Sequence, residues 1–339
     1  MTKHVYVKNL KIGGGAPVSV QSMTDTLTSD YDATIVRILE LANAGCDLVR
    51  VSVPDTQSVA SLRKLVNNSP IPIVADVHYD YKLALASLEA GVHKLRVNPS
   101  NITKDAVKLI ATEAKSRNVP IRIGVNAGSS QERLSPKALA ELAVDTAKLM
   151  EDSGTDQLVL AVKSSNVRDT VEAYRELSKL TDYPLHIGLT EAGTENLGIT
   201  KSSIAIGSLL LDGIGDTLRV SLTANPVREV EEGRKILRAI GLQKDFVEVI
   251  ACPTCARTQI EVEKFAKQVE LATAHIRKPL KIAVMGCSVN GIGESKGADF
   301  GVCGGKQHSL IFKNGEIIKT VDNDCVLQEL LKLAEVDYE

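Results

Sequence analysis

The sequence predicts an α/β protein: a TIM (β/α)8 barrel over residues 1–240, followed by a small α+β domain over residues 241–339. Three observations carry that expectation. Eight short apolar runs recur at even spacing between residues 18 and 222. Amphipathic stretches lie between most of them, and strand–helix alternation means a parallel sheet. Eight such units fill the roughly 200–250 residues of a barrel, whereas a doubly wound open sheet, the structural runner-up, would need fewer strands.

The predicted strands are VSVQSM (18–23), LVRVSV (48–53), IPIVADV (71–77), KLRVN (94–98), IRIGVN (121–126), LVLAVK (158–163), LHIGLT (185–190) and TLRVSL (217–222). Residues 33–46, 58–68 and 104–118 show the i, i+3, i+4 apolar spacing of helices. Residues 135–154 continue the pattern, with a Ser-Pro start and a Gly stop. Beyond residue 240 the rhythm changes. A strand is expected over 246–253, a helix over 258–276, a strand over 281–286 and a hairpin over 309–321, turning at Asn314-Gly315. A last amphipathic helix covers 325–336.

Buried parallel strands should be nearly all apolar. These are interrupted, in or just after their C-terminal halves, by Gln21 and Ser22, Arg50, Asp76 and His78, and Arg96 and Asn98. Arg122 and Asn126, Lys163, Glu191, and Arg219 and Ser221 follow on the later strands. Barrel active sites are built at those strand ends. One strand arginine is usually a structural ion pair or a side chain reaching for the rim. Arg50, Arg96, Arg122, Lys163 and Arg219 lie at similar positions on five strands, and would repel one another unless an anion lay among them. Asp76 and Glu191 could neutralise only part of that set. The expected ligand is a phosphate or diphosphate, whose oxygens match arginine forks. Asp76 and His78 read as a metal pair, an acid/base pair or a hydrogen-bonded structural histidine. Gly13-Gly14-Gly15 lacks a following Lys-Ser/Thr and reads as a turn rather than a phosphate loop.

Composition narrows the function classes. A net charge of −2 leaves no bulk field for nucleic acid or an anionic membrane. Aromatics at 3%, with no Trp, argue against stacking platforms for bases. MTKHVYVKNLKIGGG has no apolar stretch behind its basic residues, and no segment approaches the roughly 20 apolar residues of a membrane span. The expected compartment is the cytoplasm, where six cysteines are buried hydrophobes or metal ligands rather than a disulfide framework.

Four of those cysteines fall in or beside predicted loops of the second domain. Cys252-Pro-Thr-Cys255 follows a strand, as half a zinc site, half an iron–sulfur site or a redox dithiol would. A zinc site would usually bring a second CxxC or a His pair, and His275 and His308 are isolated. Cys287, in "MGCSVNGIGES", adds a third thiol. Three thiolates and one weaker ligand suit a four-iron cluster, in which one iron takes an exchangeable oxygen ligand. Glu294 is the nearest candidate and Cys303 its competitor. Cys46 and Cys325 are expected to be buried.

The pairing of "ACPTCART" with "MGCSVNGIGESKGADFGVCGG" closely resembles the 4-hydroxy-3-methylbut-2-enyl diphosphate synthase family, in its two-domain form. "PVSVQSMTDT", "AGCDLVRVSVP", "ADVHYDY", "GVHKLRVNPSNI", "IRIGVNAGS", "LHIGLTEAG" and "GIGDTLRVSLT" agree in the same order along nearly the whole chain. The resemblance implies a reductive ring opening and dehydration of 2-C-methyl-D-erythritol 2,4-cyclodiphosphate in non-mevalonate isoprenoid synthesis. It implies a [4Fe–4S] cluster on Cys252, Cys255, Cys287 and Glu294. It also implies a diphosphate site on Arg50, Arg96, Arg122, Asn126, Lys163, Arg219 and Ser221. Glu191 matches a carboxylate of proton transfer, with Asp76 and His78 beside it, and burial is expected to raise its pKa. A ferredoxin or flavodoxin donor and a head-to-tail homodimer are implied as well. Two other readings compete: a non-redox barrel lyase or isomerase with a structural zinc, and a cluster-carrying sensor.

Overall fold

The computed structural model describes residues 1–129, 134–288 and 291–336. It divides into two compact units, residues 1–242 and 243–339.

The first unit opens with an antiparallel hairpin, β1 (His4–Val7) and β2 (Leu10–Gly13). Gly13, Gly14 and Gly15 then take positive φ, so the triplet is a turn as expected. Eight parallel strands follow among the described residues: β3 (Ser19–Met23), β4 (Leu48–Ser52), β5 (Ile73–Val77), β6 (Lys94–Val97), β7 (Ile121–Asn126), β8 (Leu158–Lys163), β9 (His186–Ile187) and β10 (Thr217–Leu218). Their order is β8-β7-β6-β5-β4-β3-β10-β9, and a parallel bridge between Leu160 and Leu185 brings β8 beside β9 to close the barrel. The last two predicted runs pair over only two residues each. In the first of them Gly188 follows Ile187 with φ +153°, and a side chain there would collide with the Arg219 carbonyl.

Helices α1 (Tyr31–Asn43), α2 (Thr56–Asn68), α3 (Tyr81–Glu89), α4 (Lys104–Ser116), α5 (Pro136–Asp152), α6 (Val167–Leu180), α7 (Glu195–Leu211) and α8 (Pro226–Ala239) alternate with the strands. All but α7 begin on a side chain that accepts a hydrogen bond from the first turn: Asp30, Asp55, Asp80, Thr103, Ser135, Asn166 and Asn225. Each cap sits where a strand-end loop becomes a helix, which fixes the exit from each strand.

Side chains alternate along a strand, and here the two faces differ in kind. Val49 and Val51, Ile73 and Ala75, Leu95 and Val97, and Ile121 and Ile123 join one large apolar core with residues of the helices. The intervening positions face the barrel interior and include Arg50, Asp76, Lys94, Arg96, Arg122 and Lys163. Only at the lower end is the interior apolar: Leu48, Val74 and Val159 pack against Val5, Val7 and Ile12 of the hairpin, which plugs that end.

The second unit is a five-stranded sheet with strands β11 (Val247–Ala251), β12 (Leu280–Met285), β13 (Phe300–Cys303), β14 (His308–Lys313) and β15 (Glu316–Asp322), in that order. β11, β12 and β13 are parallel, and the last two close antiparallel. Asn314 and Gly315 both have positive φ, as a type I′ turn requires. Helices α9 (Val262–Thr273), α10 (Gly291–Glu294) and α11 (Val326–Val336) complete it. One cysteine expectation, a buried Cys325, needs correcting, while Cys303, expected in or beside a loop, ends β13 next to one and is fully buried. Its strand was hidden by Gly301, which must lack a side chain because Ala283 and Phe312 press on it. Cys325 is exposed, since it lies in a single turn before α11 rather than on its apolar face, whereas Cys46 is buried. Among the described residues no helix is long and apolar enough to cross a membrane.

Candidate functional site

The interior cations converge at the C-terminal ends of the barrel strands. Arg50, His78, Arg96, Arg122, Asn126, Lys163, Arg219 and Ser221 all line one cavity of about 90 Å3, together with Gly124 and Thr190. Thus every expected diphosphate-site residue, and His78, is brought to one place.

Asp76 is the hub of one side. Its Oδ1 accepts from Arg96 Nη1 at 3.0 Å, and its Oδ2 lies 3.6 Å from Arg50 Nε and 3.3 Å from His78 Nε2. Burial alone would raise this carboxyl, but Arg50, the His78 hydrogen bond and Arg96 outweigh it and hold it well below the usual carboxylate range. His78 Nε2 also lies 2.8 Å from Arg96 Nη1, so one ring nitrogen faces both a carboxylate that accepts and a guanidinium that donates. The Arg96 guanidinium crosses the place where residue 124 would carry its Cβ; an added Cβ would lie 2.9 Å from Arg96 Nε. Glycine at 124 is therefore what lets Arg96 lie flat against β7.

The opposite side is held by a residue that sequence reasoning missed. Glu229, in the first turn of α8, receives Arg219 Nε and Nη2 at 3.0 Å each, on separate oxygens. It also accepts from Ser22 Oγ at 2.8 Å and from the Leu222 backbone N–H at 3.0 Å. The signal was present: Glu229 lies on the buried stripe of α8 with Val230, Gly233, Ile236 and Leu237, and a glutamate there needs a buried partner. Met23 Sδ stands between the two arginine groups, 3.0 Å from Arg50 Nε and 3.7 Å from Arg219 Nη1.

These two carboxylates leave positive charge over. Among the described residues no carboxylate lies within ion-pair distance of Arg122 or Lys163. Burial first, then neighbouring cations, pushes Lys163 and Arg122 well below their usual ranges. Arg50 is pushed down to about 10 for the same reasons and stays charged at neutral pH. Such a cavity is built to take an anion.

Glu191 departs from expectation. It follows Thr190 but does not line the cavity, and its side chain is exposed rather than buried. Its backbone is left-handed, φ +54°, a conformation costly for a residue with a Cβ.

In the second unit, Cys252, Cys287 and Cys303 follow or end three adjacent parallel strands. Cys252 continues β11, its N–H donating to Val284 O, and its Sγ accepts from the Gly286 N–H at 3.1 Å. Cys255 is exposed; the Arg257 backbone N–H and the Thr258 hydroxyl lower its pKa. Cys287 is half-buried just beyond β12. Cys303 Sγ is covered by Gly291, where any side chain would collide with it, and burial followed by Cys287 and Cys252 pushes its thiol up to about 11. The backbone of Glu294 ends α10, and its side chain lies outside the described residues. Among the described residues no three His, Cys, Asp or Glu side chains stand close enough to share a metal ion. The donor set itself suits a soft metal centre: three accessible thiols, Cys252, Cys255 and Cys287, in the segments that follow β11 and β12, one already receiving a backbone N–H.

The comparisons with known proteins decide the family. Residues 2–234 match the GcpE TIM-barrel domain and residues 248–336 the GcpE protein C-terminal domain. The chain belongs to the GcpE family. Its GcpE relatives include a protein of Caldanaerobacter subterraneus subsp. tengcongensis, 50% identical over 99% of this chain and 97% of its own. A Clostridium acetobutylicum protein is 48% identical over 99% and 98%, and one from Thermotoga maritima 48% over 97% and 96%. Each is named 4-hydroxy-3-methylbut-2-en-1-yl diphosphate synthase (flavodoxin). Among solved structures, the GcpE chain resembles a Clostridium difficile type I 3-dehydroquinate dehydratase, with TM-score 0.55, 17% identity, and 71% of this chain and 98% of that one covered. A Yersinia pestis dihydropteroate synthase gives TM-score 0.53 and 13% identity over 71% and 98%. At such identities these two speak for the barrel fold alone.

Proposed function

We propose that this protein is an oxidoreductase that converts 2-C-methyl-D-erythritol 2,4-cyclodiphosphate, two electrons and, counted in the acid forms, two protons into (E)-4-hydroxy-3-methylbut-2-enyl diphosphate and water. Relatives about half identical over nearly their full length carry the product in their names. The observation that carries the reading is the cavity itself. Five cations surround it, and two carboxylates are already committed to three of them.

In this reading the barrel unit binds the diphosphate. Arg122 and Lys163 supply the uncompensated charge, and Arg50, Arg96 and Arg219 are aimed by Asp76 and Glu229. Asn126 and Ser221 add neutral hydrogen bonds from the cavity wall. Concentrated positive charge stabilises the diphosphate oxygen as it leaves the ring carbon. Asp76, held ionised, has no proton to give, so its part is to orient Arg50 and Arg96. His78, partly exposed beside it, and Glu191, beyond Thr190, are the groups left to move protons.

Cys252, Cys255, Cys287 and Glu294 would hold a [4Fe–4S] cluster, which when bound supplies electrons and a Lewis-acidic iron. A flavodoxin, which the names of the relatives specify, is the proposed donor, with a ferredoxin as the substitute of the same chemistry. The reading includes a homodimer and a cytoplasmic site of action.

The test is anaerobic. Protein reconstituted with iron and sulfide should turn over the cyclodiphosphate with reduced flavodoxin. A fully loaded sample that gives no product sinks the reading, and a purified protein holding zinc without sulfide sinks the cluster. Sedimentation of the same sample reads the dimer.

A further inference from the structure

Beneath the cavity the barrel interior holds a lysine that the diphosphate reading does not use. Lys94 opens β6 with its side chain inside the barrel; it is fully buried, and its Nζ has no hydrogen-bond partner. Arg122 Nε, Gln21 Nε2 and His186 Nε2 are likewise buried without a partner. Gln21 and Arg122 touch, Lys94 lies on the strand beside that of Arg122, and both Lys94 and His186 are within electrostatic reach of Arg122. Arg122 Nη1 donates to Gln21 Oε1 at 3.4 Å. After burial, Arg122 is the cation that most depresses the pKa of both Lys94 and His186, and Lys94 adds to the effect on His186. Below them, the apolar plug of Val74 and the hairpin seals off solvent.

Every unpartnered atom in this group can donate a hydrogen bond. The interior carboxylates are committed elsewhere, Asp76 to Arg50 and Arg96, and Glu229 to Arg219. Four buried donors left unmade are costly, and burial pushes the Lys94 ammonium toward its neutral form unless a counter-charge holds it. Water would satisfy the donors but leave the ammonium without a counter-charge. A small anion would answer both needs.

The geometry points to a second anion site in the barrel core, of halide size, held by Lys94 Nζ, Arg122 Nε, Gln21 Nε2 and His186 Nε2. It is separate from the substrate cavity, because Lys94, Gln21 and His186 do not line that cavity. Its occupant compensates Lys94 and braces Arg122 from below, leaving the outer end of that guanidinium for the cavity.

Crystals of the full chain grown in sodium bromide test this without any turnover. An anomalous bromide peak within hydrogen-bonding distance of Lys94 Nζ is expected. Water or nothing at that place overturns the proposal. In solution, the melting temperature should rise with the logarithm of bromide concentration when bromide replaces gluconate at constant ionic strength. Lys94→Met should abolish both the peak and that rise, and a Lys94→Met protein that keeps the full rise also overturns the proposal. If that variant does not fold, the wild-type crystal decides. None of these readouts depends on the cyclodiphosphate.

Discussion

Glu229 grips the Arg219 guanidinium with both carboxylate oxygens, each 3.0 Å from a different nitrogen. Both side chains are largely withdrawn from water, at 3% and 15% exposure, so the pair fixes the direction of the arginine. Glu229→Gln keeps the shape and loses the charge. It should raise KM for the cyclodiphosphate about tenfold or more, with a smaller effect on kcat. Taking one partner from a buried pair should also cost about 3 kcal/mol in urea unfolding. An unchanged KM would show that Arg219 needs no such anchor.

Gly124 carries a different constraint. Gly124→Ala places a methyl group 2.9 Å from Arg96 Nε. Arg96 is buried and tied to Asp76, so it has little room to yield. The variant should fold with a loss of about 1–3 kcal/mol from overpacking, and should bind the diphosphate more weakly. A crystal structure of the variant with Arg96 unmoved would contradict the argument.

Asp76 gives the protein a pH signature. Its carboxyl is held well below the usual range when folded, so the unfolded chain takes up the proton first. The stability it contributes is complete above the unfolded value of about 4 and is lost as pH falls from there toward the depressed folded value. Asp76→Asn should therefore be markedly less stable than the parent at pH 7, and the gap should narrow toward pH 3. Denaturant titrations at the two pH values measure it. A gap that widens in acid would reverse the sign.

Much of this was legible in the sequence, for identifiable reasons. The barrel strands were visible because their outward residues, such as Val49, Val51, Leu95 and Val97, are uniformly apolar. The site was visible because Arg50, Arg96 and Arg122 break that pattern at matching positions. Glu229 was not visible, because it belongs to a helix and reaches the site only through the turn that follows β10. Gly124 reads as a weak strand residue until Arg96 is seen lying across it. Strand β13 was lost because Gly301 and the glycines after Cys303 imitate a loop. The exposure of Glu191 turns on a left-handed backbone that no side-chain pattern reports.

The cysteines separate cleanly into two groups. Cys252→Ser, Cys255→Ser and Cys287→Ser should each lose most of the iron and sulfide in anaerobic preparations. Cys303→Ala should retain both, since its thiol is covered by Gly291 and packed with Met285 and Phe312. Glu294→Gln should keep iron better than any of the three serine variants. Loss of iron in the Cys303 variant alone would reassign the fourth ligand.

The hairpin that plugs the barrel precedes every barrel strand in the sequence. Thr2 Oγ1 donates to Asp216 Oδ1 at 2.7 Å, and the Lys3 N–H to the Asp182 carbonyl at 2.6 Å. Those partners emerge from the ribosome some two hundred residues later. Contacts so distant in sequence form slowly. Pulsed hydrogen exchange should find the Val5 and Ile12 amides protected in the last refolding phase, and early protection would refute this. The plug is thus synthesised before the strands it closes and seated after them. Until Val74 and Val159 follow, the nascent chain carries Val5, Val7 and Ile12 uncovered, a sticky segment that invites a chaperone.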